Sequence, residues 1–118
     1  MIKIQSLNQN KQFLSILKKK RINNNYFTIY YGKNNDEIKN KILKISFVTK
    51  KKIGNAVKRN KIRRRLKSAV QKILTNDKNV NLNYNYIIFG KDKVYSEKFS
   101  ILSNNIESTF KKIKNLNN

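Results

Sequence analysis

Lys51-Lys52-Ile53-Gly54-Asn55-Ala56-Val57-Lys58-Arg59-Asn60-Lys61-Ile62-Arg63-Arg64-Arg65-Leu66-Lys67 decides how the rest of this chain is arranged. It begins as a loop and continues as a helix. Asn55 suits an N-cap, because its side-chain carbonyl can accept from an exposed backbone N–H of the first turn. Gly54 just before it can supply a positive φ in the turn. Beyond them, Ile62, Leu66, Ala69 and Ile73 recur at helical spacing and form one narrow apolar stripe. Asn60, Arg63, Arg64 and Lys67 fall on the far side. Lys61, Arg65 and Lys72 fill one flank, and Arg59 sits at the boundary of the basic face. Such a helix docks on a sheet by its stripe and holds an ordered field of cations outward. That is what gripping a phosphate backbone requires.

An ordinary solvated helix mixes both signs of charge and gains i,i+4 pairs. Here no Asp or Glu occurs between Glu37 and Asp77. The whole chain carries 28 Lys+Arg against 6 Asp+Glu, a formal charge of +22, so it repels itself and suits a polyanion. Lysine, asparagine and isoleucine are all abundant, as AT-rich coding produces, so some lysines reflect drift rather than binding. The arginines are harder to dismiss, because Arg59, Arg63, Arg64 and Arg65 cluster in seven residues.

A length of 118 residues predicts one domain spanning 1–118, and 38% hydrophobic with 10% aromatic residues permits a modest core. There is no cysteine and no histidine, so disulfides, thiolate nucleophiles and Cys/His metal sites are excluded. No apolar run resembles a signal peptide or a transmembrane helix, and a cytoplasmic location is expected.

The periodicities predict a helix over 10–20, a polar turn over 21–25, a strand over 26–31 and a strand over 42–49. The basic loop and helix run to about Leu74. A central strand over 84–89 and a closing helix over 96–114 follow, the latter with the stripe Phe99, Leu102, Ile106, Phe110 and Ile113. Residues 1–9 show no clear pattern, and the tract Asn23-Asn24-Asn25 reads as compositional. The element order predicts an α+β sandwich: a small central sheet of about four strands, with helices mainly on one face and the other open. Alternation puts Phe27, Ile29 and Tyr31 on one side of their strand and Thr28 and Tyr30 on the other. An exposed Tyr30 can stack on an unpaired base or simply cover the sheet. Phe13 and Leu17, one helical turn apart, read first as core.

Self-contained catalysis is disfavoured. General acid–base or metal-assisted hydrolysis needs His or converging carboxylates. Asp36, Glu37, Asp77, Asp92, Glu97 and Glu107 are scattered along the chain and read as surface charges. No phosphate-cradling glycine loop, dinucleotide fingerprint or zinc spacing occurs.

The pattern through Lys51, Lys52, Gly54, Ala56, Val57, Arg59, Asn60, Arg63, Arg64 and Lys67 resembles the signature of the bacterial ribonuclease P protein component. Leu7 to Phe13, Phe27-Thr28-Ile29-Tyr30 and Tyr86-Ile87-Ile88 extend the likeness over most of the chain. The resemblance implies a left-handed βαβ crossover through the basic helix, against the general rule. It implies that Lys51, Lys52, Arg59, Asn60, Arg63, Arg64 and Lys67 face a catalytic RNA subunit. It also implies that Phe13, Leu17, Thr28, Tyr30 and Val48 line a cleft for the 5′ leader of precursor tRNA, which reassigns Phe13 and Leu17 from core to cleft. Four positions depart from the family pattern: Lys67-Ser68 stands where Arg-Glu is usual, Arg65 where an apolar residue is common, and Leu17 where an aromatic is frequent.

The function so implied is that of a non-catalytic subunit of a ribonucleoprotein endonuclease that removes the 5′ leader from precursor tRNA. No catalytic or metal-ligating protein residue is expected, and no organic cofactor. Mg²⁺ is expected mainly on the RNA subunit, with Asn60 bonding RNA or helping hold hydrated metal. The alternative is a ribosomal or other structural RNA-binding protein without turnover. A DNA-compacting or membrane-surface protein is a third class.

Overall fold

In the computed structural model, residues 2–34, 41–75 and 80–116 are described. The chain runs β1 (Lys3–Gln5), α1 (Asn10–Leu17), β2 (Lys20–Asn23), β3 (Phe27–Lys33), β4 (Ile42–Val48), α2 (Ala56–Ile73), β5 (Tyr84–Gly90) and α3 (Phe99–Asn115). Short 3₁₀ turns at Lys51–Ile53 and Asp92–Tyr95 lead into α2 and α3. The strands form one mixed sheet in the order β1-β4-β5-β3-β2. The sheet therefore has five strands rather than about four. Beyond the three strands read from periodicity are the two short edges: β1 comes from the unpatterned 1–9 stretch, and β2 replaces the expected polar turn. The α+β class stands.

β5 is central, parallel to β4 and antiparallel to β3. Its residues Tyr86, Ile87 and Ile88 are fully buried, as a strand covered on both faces requires. β4 and β5 are parallel neighbours joined through α2, so the expected crossover element is in place.

One face of the sheet carries the main core. Phe27 and Ile29 of β3, Leu43 and Ile45 of β4, and Tyr86 and Ile88 of β5 pack against Ile62, Leu66, Ala69 and Ile73 of α2 and Leu102, Ile106, Phe110 and Ile113 of α3. Gly90 lets α2 approach this closely. A Cβ there would lie 2.6 Å from Ile62 Cγ2 and 2.8 Å from Leu66 Cδ1. Phe99 departs from its expected stripe: it is partly exposed, with Lys72 Nζ 5.8 Å from its ring centroid.

The other face is not fully open. Helix α1 lies across it, with Leu7 and Ile16 packed on Ile87. The backbone N–H of Leu7 donates to Ser46 Oγ at 3.0 Å and pins the segment before α1 to β4.

The asparagine tract is structural after all. Asn24 Oδ1 accepts from the backbone N–H groups of Tyr26 and Phe27 at 2.8 and 3.0 Å, which shapes the β2–β3 turn. Asn23 Oδ1 accepts from Thr28 Oγ1 at 2.7 Å and from Lys91 Nζ at 2.6 Å.

Candidate nucleic-acid interface

Helix α2 starts where the capping chemistry predicts. Asn55 Oδ1 accepts from the Lys58 backbone N–H at 2.9 Å, an interaction worth about 1 kcal/mol at a helix start. Gly54 differs from expectation. Its φ of 161° and ψ of −169° are extended backbone, so the turn needs no left-handed residue.

The cations of α2 divide into two sets. One is structural. Arg65 Nε donates to Val94 O at 2.9 Å and Nη2 to Glu97 O, which ties the helix to the turn before α3. Lys58 pairs with Asp92, and Lys58 and Lys61 lie 5.3 and 4.4 Å from the Tyr95 ring centroid. The flank of Lys61 and Arg65 is thus committed to packing.

The other set faces outward. Lys51, Lys52, Asn60, Arg64 and Lys67 are exposed, and Arg59 and Arg63 are half-buried along their stems. Arg63 Nη1 donates to Thr49 Oγ1 at 2.9 Å, and Nη2 donates to Asn60 Oδ1. Arg59 Nε reaches Asn55 O at 3.4 Å. The Asn60 carbonyl is therefore engaged by Arg63, which leaves its amide as the donor for any outside partner.

On the other face of the sheet, α1 leaves a partly buried seam along its contact with the strands. Phe13, Leu17, Tyr30, Val48 and Phe89 are half-buried around the Leu7, Ile16 and Ile87 cluster. The rings of Tyr30 and Phe89 meet edge to face, centroids 5.7 Å apart. All five residues proposed from the family resemblance lie on this face, Thr28 at its margin beside Asn23. Phe89 was missed: read as one more buried residue of a central strand, it stands at the strand's end, where α1 no longer covers the sheet. A hollow of about 280 Å³ joins Thr28 and Phe89 to Lys50, Lys52 and Lys91, so the cleft continues into the basic loop. Lys50 Nζ is 6.0 Å from the Phe89 ring centroid, at the outer reach of a cation–π contact.

Acidic chemistry does not converge here. Asp36, Glu37 and Asp77 lie outside the described residues. Asp92 pairs with Lys58, and Glu107 pairs with Lys111 at 3.1 Å. Glu97 accepts from Tyr26 Oη at 2.9 Å and from the Lys98 backbone N–H at 2.8 Å. Among the described residues no group of three or more His, Cys, Asp or Glu side chains could hold a metal ion, and no helix is long and apolar enough to cross a membrane.

The sequence model of the family described as Ribonuclease P matches residues 1–114. The ribonuclease P protein component of Carboxydothermus hydrogenoformans is 34% identical over 103 residues, covering 86% of this chain and 84% of the relative. That of Mycoplasma mycoides subsp. mycoides SC is 34% identical over 112 residues, covering 92% and 94%. Among solved structures, the RNase P protein from Thermotoga maritima superposes with a TM-score of 0.74 at 20% identity, covering 92% of this chain and 96% of that one. The Staphylococcus aureus RNase P protein gives 0.69 at 23% identity, covering 96% and 97%. These two likenesses show the shared fold. With a family match running almost end to end, and with relatives a third identical over most of their length, the chain belongs to the ribonuclease P protein family.

Proposed function

We propose that this chain is the protein subunit of a ribonucleoprotein endonuclease that removes the 5′ leader from precursor tRNA, working in the cytoplasm. The observation that carries this reading is the placement of two surfaces side by side. The half-buried rings of Tyr30 and Phe89 adjoin the basic loop that leads into the outward cations of α2. Unpaired nucleotides suit the first, because every base presents a π-face to Tyr30 and Phe89. A folded RNA backbone suits the second, because Lys51, Lys52, Arg59, Arg63, Arg64 and Lys67 offer charge at fixed spacing, with Asn60 as a neutral donor. Phe13, Leu17, Thr28, Tyr30 and Val48, with Phe89, would hold the leader.

The division of labour follows from the residue types. The chain has no histidine, and the acids described are spent on separate surface contacts. Hydrolysis is therefore assigned to the RNA subunit and to Mg²⁺ held on it. The protein screens charge between the two RNAs and adds leader contacts, which broadens the range of substrates. Reconstitution with a candidate RNA subunit and a cleavage assay tests the reading. Activity should appear at low Mg²⁺ with both components and be absent from RNA-free protein. Cleavage by scrupulously RNA-free protein would refute the assignment. Copurification with whole ribosomal subunits, rather than with one RNA of discrete size, would favour a structural RNA-binding role instead.

A further inference from the structure

We propose that a second RNA site lies beyond α1, at the end of the sheet, and takes a phosphodiester backbone among Lys18, Lys19, Lys20 and Lys33, on the flank away from Tyr30 and Phe89. This rests on the RNA-partner reading above.

Alternation along β5 places Asn85, Ile87 and Phe89 on one face. Ile87 lies under Ile16 of α1. Phe89 emerges on one side of the helix, in the cleft already described, and Asn85 on the other. The two are about 13 Å apart along the strand, at 3.3 Å per residue. A hollow of about 290 Å³ lies on the Asn85 side, and a larger one of about 630 Å³ continues from it round the end of the sheet, the two sharing Ser15 and Lys33 as walls. The larger falls within the roughly 300–1,000 Å³ usual for ligand sites.

The lining points to a polyanion. Lys18, Lys19, Lys20 and Lys33 surround the larger hollow, Tyr31 and Tyr84 line it from the far face of the sheet, and Lys11 joins from the smaller. No acid lines either hollow among the described residues. The only acids within ten residues of Lys33 in sequence are Asp36 and Glu37, so five lysines still leave an excess of positive charge.

Asn85 points to a ligand that brings hydrogen-bond donors as well as negative charge. It is only 5% exposed, it lines the smaller hollow, and its Oδ1 is buried with no hydrogen-bond partner. An unpaired buried acceptor costs stability unless something donates to it. A phosphodiester oxygen carries no proton and cannot donate. A ribose 2′-OH or a base amino group can, and the 2′-OH separates RNA from DNA. Two strands could supply that backbone: the leader beyond its cleft, or the RNA subunit itself.

The test uses Lys18→Gln/Lys20→Gln/Lys33→Gln, three exposed positions whose neutralisation leaves the core intact, in two arms. One measures affinity for the RNA subunit as salt is varied. The other measures affinity of the reconstituted holoenzyme for precursor tRNA with leaders of increasing length. The expected result is a loss of about fivefold or more in one arm, with a salt slope shallower by about two, from roughly 0.7–0.9 per lost phosphate contact. The arm that moves identifies the strand. Asn85→Leu should weaken the same arm while leaving the melting temperature unchanged or higher. A purely structural asparagine would instead lower it and leave affinity alone. Affinities within twofold of wild type and unchanged slopes in both arms overturn the proposal, as does loss confined to binding of phosphatidylserine vesicles. A wild-type complex that cleaves precursor tRNA while the variants match it refutes only this second site. A wild-type protein that fails to bind the RNA subunit refutes the functional reading.

Discussion

Arg63 donates to Thr49 at 2.9 Å, and this bond joins the cationic helix to the end of the strand that borders the aromatic cleft. Thr49 is buried, so the hydroxyl is a fixed point, and it orients the guanidinium that also grips Asn60. Thr49→Val keeps the shape and all of the charge but frees Arg63 to sample other rotamers. RNA-subunit affinity should fall by about 0.5–1.5 kcal/mol, the cost of immobilising one long side chain on binding. The salt slope should not change. Arg63→Ala should lower both affinity and slope. Titrations at several salt concentrations separate the two; a slope change with Thr49→Val would mean that Thr49 touches the RNA itself.

Tyr30 and Phe89 form one aromatic wall, so either should act on the single strand rather than on the folded RNA. Tyr30→Ala should weaken precursors with a long leader by about 1–3 kcal/mol, the range for one base–aromatic stack. Mature tRNA should bind the reconstituted complex as before. Phe89→Leu keeps the strand end apolar and should give a smaller loss of the same kind. Equal losses with and without a leader would remove the cleft from substrate binding.

Much of this arrangement is legible before any coordinates. The stripe Ile62, Leu66, Ala69 and Ile73 is buried as its spacing demands, and Asn55 caps the helix. Both follow from local periodicity and local hydrogen bonding. What was not legible depends on the third dimension. β2 reads Lys-Arg-Ile-Asn, with one apolar residue, because an edge strand is half-solvated and needs little apolar surface. Its pairing is set by Asn24 closing the turn to β3, a role invisible in a chain rich in asparagine. Phe89 and Ile87 look alike in sequence. Only the crossing of α1 over Ile87 covers one and exposes the other.

Acid stability should report on the contact between Tyr26 and Glu97, which joins β3 to the turn before α3. The Lys98 backbone N–H, and after it the Tyr26 hydroxyl, hold the Glu97 carboxyl below the usual glutamate range. A carboxyl with a depressed folded value adds stability that is fully present above its unfolded value. That stability is lost as pH falls through the folded value. The Tyr26 phenol is raised, first by its hydrogen bond to Glu97, so its share persists below the ordinary tyrosine value and fades only in alkali. Melting temperatures of wild type and Glu97→Gln should therefore differ most near neutral pH and converge as the solution is acidified past the ordinary glutamate range. A constant gap across that window would rule out the carboxylate as the source.

Arg64 and Arg65 are adjacent in sequence and should behave as opposites. Arg65 sends two donors to the carbonyls of Val94 and Glu97 and anchors the turn from which α3 begins. Val94 is fully buried, so losing the guanidinium leaves its carbonyl without that donor. Arg65→Ala should then cost about 1–3 kcal/mol of folding stability, the penalty for a buried polar group left unpaired. Its RNA-binding salt slope should match wild type, because this cation never faces the RNA. Arg64 projects from the exposed face of the same helix. Arg64→Ala should leave urea unfolding within about 0.5 kcal/mol of wild type, as is usual for surface changes. It should flatten the salt dependence of RNA-subunit binding by about 0.7–0.9. Arg65 is only half-exposed, so Arg65→Leu should recover part of the stability by packing while leaving the slope alone. If Arg65→Ala flattens the salt dependence and Arg64→Ala does not, the helix presents the other flank to its partner, and the outward face assigned to Asn60, Arg63, Arg64 and Lys67 is wrong.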